Sequence, residues 1–123
     1  MRKNAFWLLA VLMVVTCLTA CDGDQVMDHS KAVLATSKAT WQDIQDEVAK
    51  LYVAGKITDA QWGQFVTLDA KYRSSHNAAV QALKVYEQVR DKPAEQAVFS
   101  ALAELDGIIA AAVDLVRAFK GGA

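Results

Sequence analysis

The segment Gly55-Lys56-Ile57-Thr58-Asp59-Ala60-Gln61 constrains the fold most, because it carries a helix stop followed directly by a helix start. Glycine readily adopts the left-handed backbone conformation that ends many helices. Thr58 and Gln61 have the spacing of a capping box, and Ile57 and Trp62 flank that box as a hydrophobic staple. Two helices that meet across so short a connection must be antiparallel neighbours.

Apolar residues recur at helical spacing on both sides of this turn and again after Pro93. Spacings of three and four place them on one face of a helix, and proline is tolerated in a first helical turn. The sequence therefore predicts an all-α fold, an antiparallel up-down-up three-helix bundle over residues 28–121, with helices at about 28–54, 59–91 and 93–119. The predicted apolar stripes contain Val33, Leu34, Trp41, Ile44, Val48, Leu51 and Tyr52, then Trp62, Phe65, Val66, Tyr72, Ala79, Leu83, Tyr86 and Val89, and finally Val98, Leu102, Leu105, Ile109, Ala112, Val116 and Phe119.

The chain begins with two basic residues, Arg2 and Lys3, followed by an uncharged stretch from Ala5 to Ala20. This order is typical of a secretory signal peptide. A membrane-spanning helix needs roughly 18 to 20 apolar residues, and acidic residues rather than a basic cluster follow the stretch here. We therefore expect residues 1–20 to be a cleaved signal peptide rather than a membrane-spanning anchor.

The stretch ends in Leu18-Thr19-Ala20-Cys21, which resembles the lipobox of bacterial lipoprotein precursors. The resemblance implies cleavage before Cys21, a diacylglycerol thioether on Cys21 and an acylated amino terminus. Two or more acyl chains anchor a protein stably, so the domain would face the periplasm on a short tether, residues 21–27. Asp22 is similar to the inner-membrane retention signal of enteric lipoproteins and favours the inner membrane. A secreted protein with a chance cysteine is the alternative.

Processing also limits what the composition can support. Losing Arg2 and Lys3 leaves 11 basic residues against 14 acidic ones, a net charge of about −3. The charges are interspersed and form no basic footprint, so we expect no nucleic-acid partner. Cys17 would leave with the leader and Cys21 would carry lipid, so the mature chain would have no cysteine pair for a disulfide.

One polar constellation on the second helix could carry chemistry. His76 follows Asp69 by seven residues and Tyr72 by four, which places all three on roughly one side of the helix. A metal or acid–base site is one interpretation, but zinc needs three or four ligands and His29 lies near the tether. A histidine at the bundle boundary, hydrogen-bonded to a neighbouring helix, is the other. We expect no catalytic residue, metal ligand or cofactor.

Two further features bear on function. Carboxylates such as Asp43 with Glu47 and Glu104 with Asp106 lie among lysines, so we expect them on a solvated face. The segment 108–113 is apolar nearly all round, which predicts either a fully buried section or a contact surface.

Tyr52 and Trp62 flank the first turn, where partly exposed aromatic residues would form a recognition surface. The leading hypothesis is a non-enzymatic interaction module, held to the membrane through Cys21 and contacting an envelope protein. The alternatives are a prophage-type superinfection-exclusion lipoprotein, and a small envelope metal-binding protein or enzyme that uses His76.

Overall fold

The computed structural model describes residues 23–121, which form three helices joined by short turns. These are α1, Gly23–Val53, α2, Asp59–Val89, and α3, Lys92–Gly121. Each helix packs against the other two, so the predicted all-α three-helix bundle is confirmed. α2 is continuous through its polar middle, residues 73–77. The predicted signal peptide and the lipidation site Cys21 lie outside the described residues.

The first helix begins at Gly23 rather than near residue 28, so most of the segment predicted as a tether is helical. Val26 and Met27 are buried in the core, and Val26 has no exposed surface. They continue the helical spacing of Ser30 and Val33 back towards Gly23. The burial of Val26 and Met27 stabilises this additional turn of α1. The polar residues around Gly23 do not indicate that a helix begins there.

The turn between α1 and α2 has the predicted chemistry. Gly55 has a φ of +71°, and the N–H groups of Gly55 and Lys56 donate to the carbonyls of Tyr52 and Leu51 at 3.0 and 2.9 Å. This pair of bonds is a Schellman motif, which satisfies the last carbonyls of α1.

The start of α2 is fixed by the predicted capping box. The Thr58 hydroxyl accepts from the Gln61 N–H at 3.1 Å, and the Thr58 N–H donates to the Gln61 side chain at 2.8 Å. Ile57, in front of the box, is buried. The antiparallel reversal is therefore encoded locally, by backbone and side-chain groups that lie within a few residues of each other.

The turn between α2 and α3 uses a residue that the sequence does not mark. Arg90 takes the left-handed conformation, with φ 52° and ψ 34°, and its N–H donates to the Tyr86 carbonyl at 2.9 Å. The Asp91 carboxylate then accepts from the Ala94 N–H at 2.9 Å and caps α3. Pro93 lies in the first turn of α3, as predicted.

The core runs the length of the bundle and is almost entirely apolar. Its most completely enclosed large side chains are Val26, Val33, Val48, Val98, Leu105 and Ile109. Val66 and Val89, predicted on the buried stripe of α2, are instead exposed. Val66 is about 100° around the helix from buried Phe65, and Val89 is the last residue of α2. Segment 108–113 buries only part of its surface, with Ile109 and Ala112 inside.

Ion pairs connect α1 to the other helices at both ends of the bundle. Arg90 donates to the Asp24 carboxylate at 2.8 Å, where α2 ends beside the start of α1. At the other end Lys120 pairs with Glu47 and connects the end of α3 to α1. Between residues 23 and 121, no helix is both long enough and apolar enough to span a membrane.

Candidate functional site

Six aromatic rings form a continuous series of ring contacts between α1 and α2, of which three are stacked and two, Trp62–Phe65 and Tyr72–His76, are tilted. The stack runs in the order Tyr52, Trp62, Phe65, Trp41, Tyr72 and His76, with successive ring centroids 4.8, 6.2, 5.5, 4.3 and 5.7 Å apart. It begins at the exposed Tyr52 and passes through the core to the half-buried His76. We call this set the ring stack.

Helical spacing explains why the rings meet. Phe65 and Tyr72 lie two turns apart on α2, and Trp41 of α1 inserts between them. Its ring is nearly parallel to both, at 14° to Phe65 and 4° to Tyr72. Each such pair contributes about 0.5–1.5 kcal/mol beyond the burial of its area. The centre of the ring stack therefore holds α1 and α2 together.

Asp69, one of the predicted polar-site residues, orients this centre. Its Oδ1 accepts from Trp41 Nε1 at 2.7 Å and from Gln45 Nε2 at 3.0 Å, and its Oδ2 pairs with Arg73 at 3.0 Å. Sequence reasoning missed Trp41 and Gln45 as partners. Their spacing of four, which puts two N–H donors on one face of α1, was the available signal.

The other two residues of that predicted site, Tyr72 and His76, adjoin Asp69 on the side of α2 that faces α1. The Tyr72 hydroxyl is buried and finds no hydrogen-bond partner within residues 23–121. Burial, with the charge of Asp69 as the smaller cause, raises the pKa of Tyr72 to about 12. Burial, and then the charge of Lys38, lowers the pKa of His76. Both environments favour the neutral side chain.

The predicted trio therefore does come together, and its described contacts are those of packing and orientation. The contact that links Tyr72 and His76 is a tilted ring contact. In the described part of the chain, no group of three or more histidine, cysteine or acidic side chains is arranged to hold a metal ion.

The outer end of the ring stack forms an exposed apolar surface. Tyr52 stacks on Trp62 at 20°, and its hydroxyl donates to the Asp59 carboxylate at 2.7 Å. That hydrogen bond, followed by the charge of Asp59, raises the pKa of Tyr52. Val53 next to Tyr52, and Val66 one helical turn beyond Trp62, are exposed as well. We call Tyr52, Val53, Trp62 and Val66 the turn-end surface.

A separate open groove runs along the last turns of α1, and by helical spacing its lining residues lie on the face of α1 opposite Tyr52. It encloses about 560 Å³ and is lined by Asp43, Asp46, Glu47, Lys50, Leu51, Ala54 and Lys56. Carboxylates and ammonium groups of both signs line it, with an apolar contribution from Leu51 and Ala54.

Asp106 corrects the expectation that the acidic pairs lie on solvated faces. Only 8 % of Asp106 is exposed, and its Oδ1 has no hydrogen-bond partner among residues 23–121. Burial raises the pKa of this carboxyl to about 6. Asp106 lies four residues after Leu102 and three before Ile109, so it belongs to the buried stripe of α3. Glu104 is exposed, and it accepts from the Ser75 hydroxyl at 3.3 Å.

Comparison with known proteins returns no relative. No protein-family model matches the chain, and neither the curated proteins nor the solved structures contain a match.

Proposed function

We propose that this protein is a small lipid-anchored protein of the bacterial envelope that acts as a non-enzymatic helical interaction module. In this proposal Cys21 carries the lipid, and the turn-end surface contacts another envelope protein. The observation that carries it is the stacked Tyr52–Trp62 pair, with Tyr52 exposed and Trp62 partly buried, at the end of the bundle remote from Gly23. The lipobox resemblance of Leu18-Thr19-Ala20-Cys21 supports the anchor.

The turn-end surface has the chemistry of a protein contact. Tyrosine and tryptophan are enriched among the residues that contribute most to binding at interfaces. Tyr52 is already held by its ring contact with Trp62 and its hydrogen bond to Asp59. Immobilising a side chain on binding costs about 0.5–1.5 kcal/mol of conformational entropy. Because Tyr52 is already held in place, its contact with a partner costs less than this.

The length of α1 places the proposed lipid anchor and the proposed partner surface at opposite ends of the bundle. The helix has 31 residues, and at about 1.5 Å per residue it is about 45 Å long. Lipid on Cys21 would hold one end of the bundle at the bilayer, because Gly23 is only two residues away in the sequence. The turn-end surface lies at the other end, where it can reach a partner without competing with the membrane for contact.

Site-specific photo-crosslinking in the native envelope tests the partner. A photoreactive amino acid replaces Val53 in the turn-end surface, and in the matched control it replaces Val85, which is also exposed but lies near the other end of α2. We expect one dominant adduct from position 53 that is lost in Cys21→Ser and absent from position 85. Equal adducts from both positions, or none from position 53, would refute the proposed surface.

Mass spectrometry of the purified protein tests the anchor separately. We expect a mature chain that begins at Cys21 and carries a diacylglycerol and an additional acyl chain. Cys21→Ser should leave the precursor unprocessed while its far-ultraviolet circular dichroism stays helical, because the three described helices begin at Gly23. Unmodified Cys21 in the wild-type protein would refute the lipid anchor. The crosslinking experiment would then still test whether the turn-end surface binds a partner.

A further inference from the structure

Two exposed valines lie on the last turns of α2, away from the turn-end surface. Val85 and Val89 are 53 % and 55 % exposed and, being four residues apart, they share one face of the helix. They are followed at once by Arg90 and, after Asp91, by Lys92. An exposed apolar pair followed by basic side chains can lie at a membrane interface, with the valines towards the acyl chains and the charged groups among the headgroups.

The end of α2 lies directly beside the start of α1. A Cβ placed on Gly23 would be 3.0 Å from Nη1 of Arg90 and 3.4 Å from the hydroxyl oxygen of Tyr86. Arg90 also pairs with Asp24 at 2.8 Å. Val85 and Val89 are thus at the same end of the bundle as Gly23, and the proposed lipid site is two residues before Gly23.

From these contacts we infer that this end of the bundle rests on the membrane, with Val85 and Val89 against the boundary between lipid headgroups and acyl chains. The inference rests on the lipid anchor proposed above. A fully extended chain covers about 3.3–3.6 Å per residue, so Gly23 can be no more than about 7 Å from the lipidated residue. Because α1 begins at Gly23, the tether between the lipidated residue and the bundle cannot be longer than this.

The charges at this end identify the lipid surface that it fits. Arg90 pairs with Asp24 at 2.8 Å and Lys92 with Glu95 at 3.1 Å, so both basic side chains at this end are already balanced by carboxylates. Asp24 and Glu87 lie at the same end and can meet the ammonium groups of zwitterionic lipids. The mixture of signs matches zwitterionic headgroups such as phosphatidylethanolamine better than a purely anionic surface.

Environment-sensitive fluorescence tests this placement. The lipidated protein carrying Val89→Cys is labelled with nitrobenzoxadiazole and reconstituted into vesicles of phosphatidylethanolamine and phosphatidylcholine that contain spin-labelled lipid. The matched control is Val66→Cys on the same helix, which is 48 % exposed and lies about 35 Å away at about 1.5 Å per residue. With Cys21 lipidated and Cys17 removed, each variant has one free thiol.

The probe at position 89 should emit at shorter wavelength than in water and be quenched by the spin-labelled lipid, while the probe at position 66 keeps its aqueous spectrum. Quenching at both positions would mean that the bundle lies flat, and quenching at neither would mean that it stands off the bilayer. Either result overturns the inference. The mass of the Cys21 peptide is measured on the same sample, so an unlipidated chain reports failure of the anchor instead.

Discussion

Replacing Asp106 with asparagine measures how much the buried carboxylate of Asp106 changes the free energy of unfolding. Burial raises the pKa of Asp106 from 3.8 to about 6, so the folded protein holds this proton more tightly than the unfolded chain does. The contribution of the group to stability is therefore fully present below pH 3.8 and is lost as the pH rises to about 6. Above that range the folded protein carries a buried, ionised Asp106.

The size of the effect follows from the pKa shift. A change of about two pKa units corresponds to about 3 kcal/mol, at about 1.4 kcal/mol per unit. Asparagine has nearly the same shape and no charge, but its amide must find partners, and an unsatisfied group costs about 1–3 kcal/mol. We expect Asp106→Asn to be more stable than the wild type by about 1–2 kcal/mol at pH 7.5, and less stable by about 1 kcal/mol at pH 3.5.

Urea unfolding followed by circular dichroism, at intervals from pH 3.5 to 7.5, gives this difference directly. The protein used is the chain from residue 21 with Cys21→Ser. Protonation of His76, whose pKa is lowered by burial, destabilises the fold towards acid, so the variant is compared with the wild type at each pH. Asp114→Asn is the control, because that side chain lies on the same helix and is 77 % exposed. A pH-independent difference for Asp106→Asn would refute the reasoning.

Three further predictions concern stability and are checked by the same unfolding measurement. Gly55→Ala should lose about 1 kcal/mol because of its positive φ, whereas Gly63→Ala within α2 should gain about 0.5–1 kcal/mol, and effects of equal sign would contradict this. Thr58→Ala should lose about 1 kcal/mol with the capping box, and Thr58→Ser should retain most of it; a Thr58→Ser loss as large as that of alanine would be contrary evidence. Tyr72→Phe should leave stability unchanged or raise it by up to about 1 kcal/mol, because its hydroxyl has no described partner, and a loss above about 1 kcal/mol would show a hidden bond.

Features encoded by neighbouring residues could be predicted from the sequence. The left-handed Gly55, the capping box of Thr58 and Gln61, and the position of Pro93 all depend on local chemistry, and the structure confirms them. The contact between Tyr52 and Trp62 follows in the same way, since both residues flank one turn. These features were sufficient to fix the direction of all three helices.

Features set by contacts between helices could not be predicted as well. The start of α1 depends on the burial of Val26 by residues far along the chain. The polar residues around Gly23 gave no indication that a helix begins there. Arg90 takes a left-handed conformation usually reserved for glycine or asparagine, and it also pairs with Asp24 across the bundle. The Asp69–Trp41 hydrogen bond depends on the register of α1 against α2. Asp106 is different, because its spacing on α3 does indicate burial and its charge obscured that signal.

The ring stack determines which variants can separate recognition from folding. Trp41 lies at its buried centre and bonds to Asp69, so a substitution there weakens the contact between α1 and α2 and also moves the rings beyond it. Loss of a partner in such a variant would say little about recognition. Tyr52 is at the exposed end, where its hydrogen bond to Asp59 contributes about 1 kcal/mol or less. Tyr52→Ala should therefore remove the proposed contact while the bundle stays folded, which makes it the informative substitution.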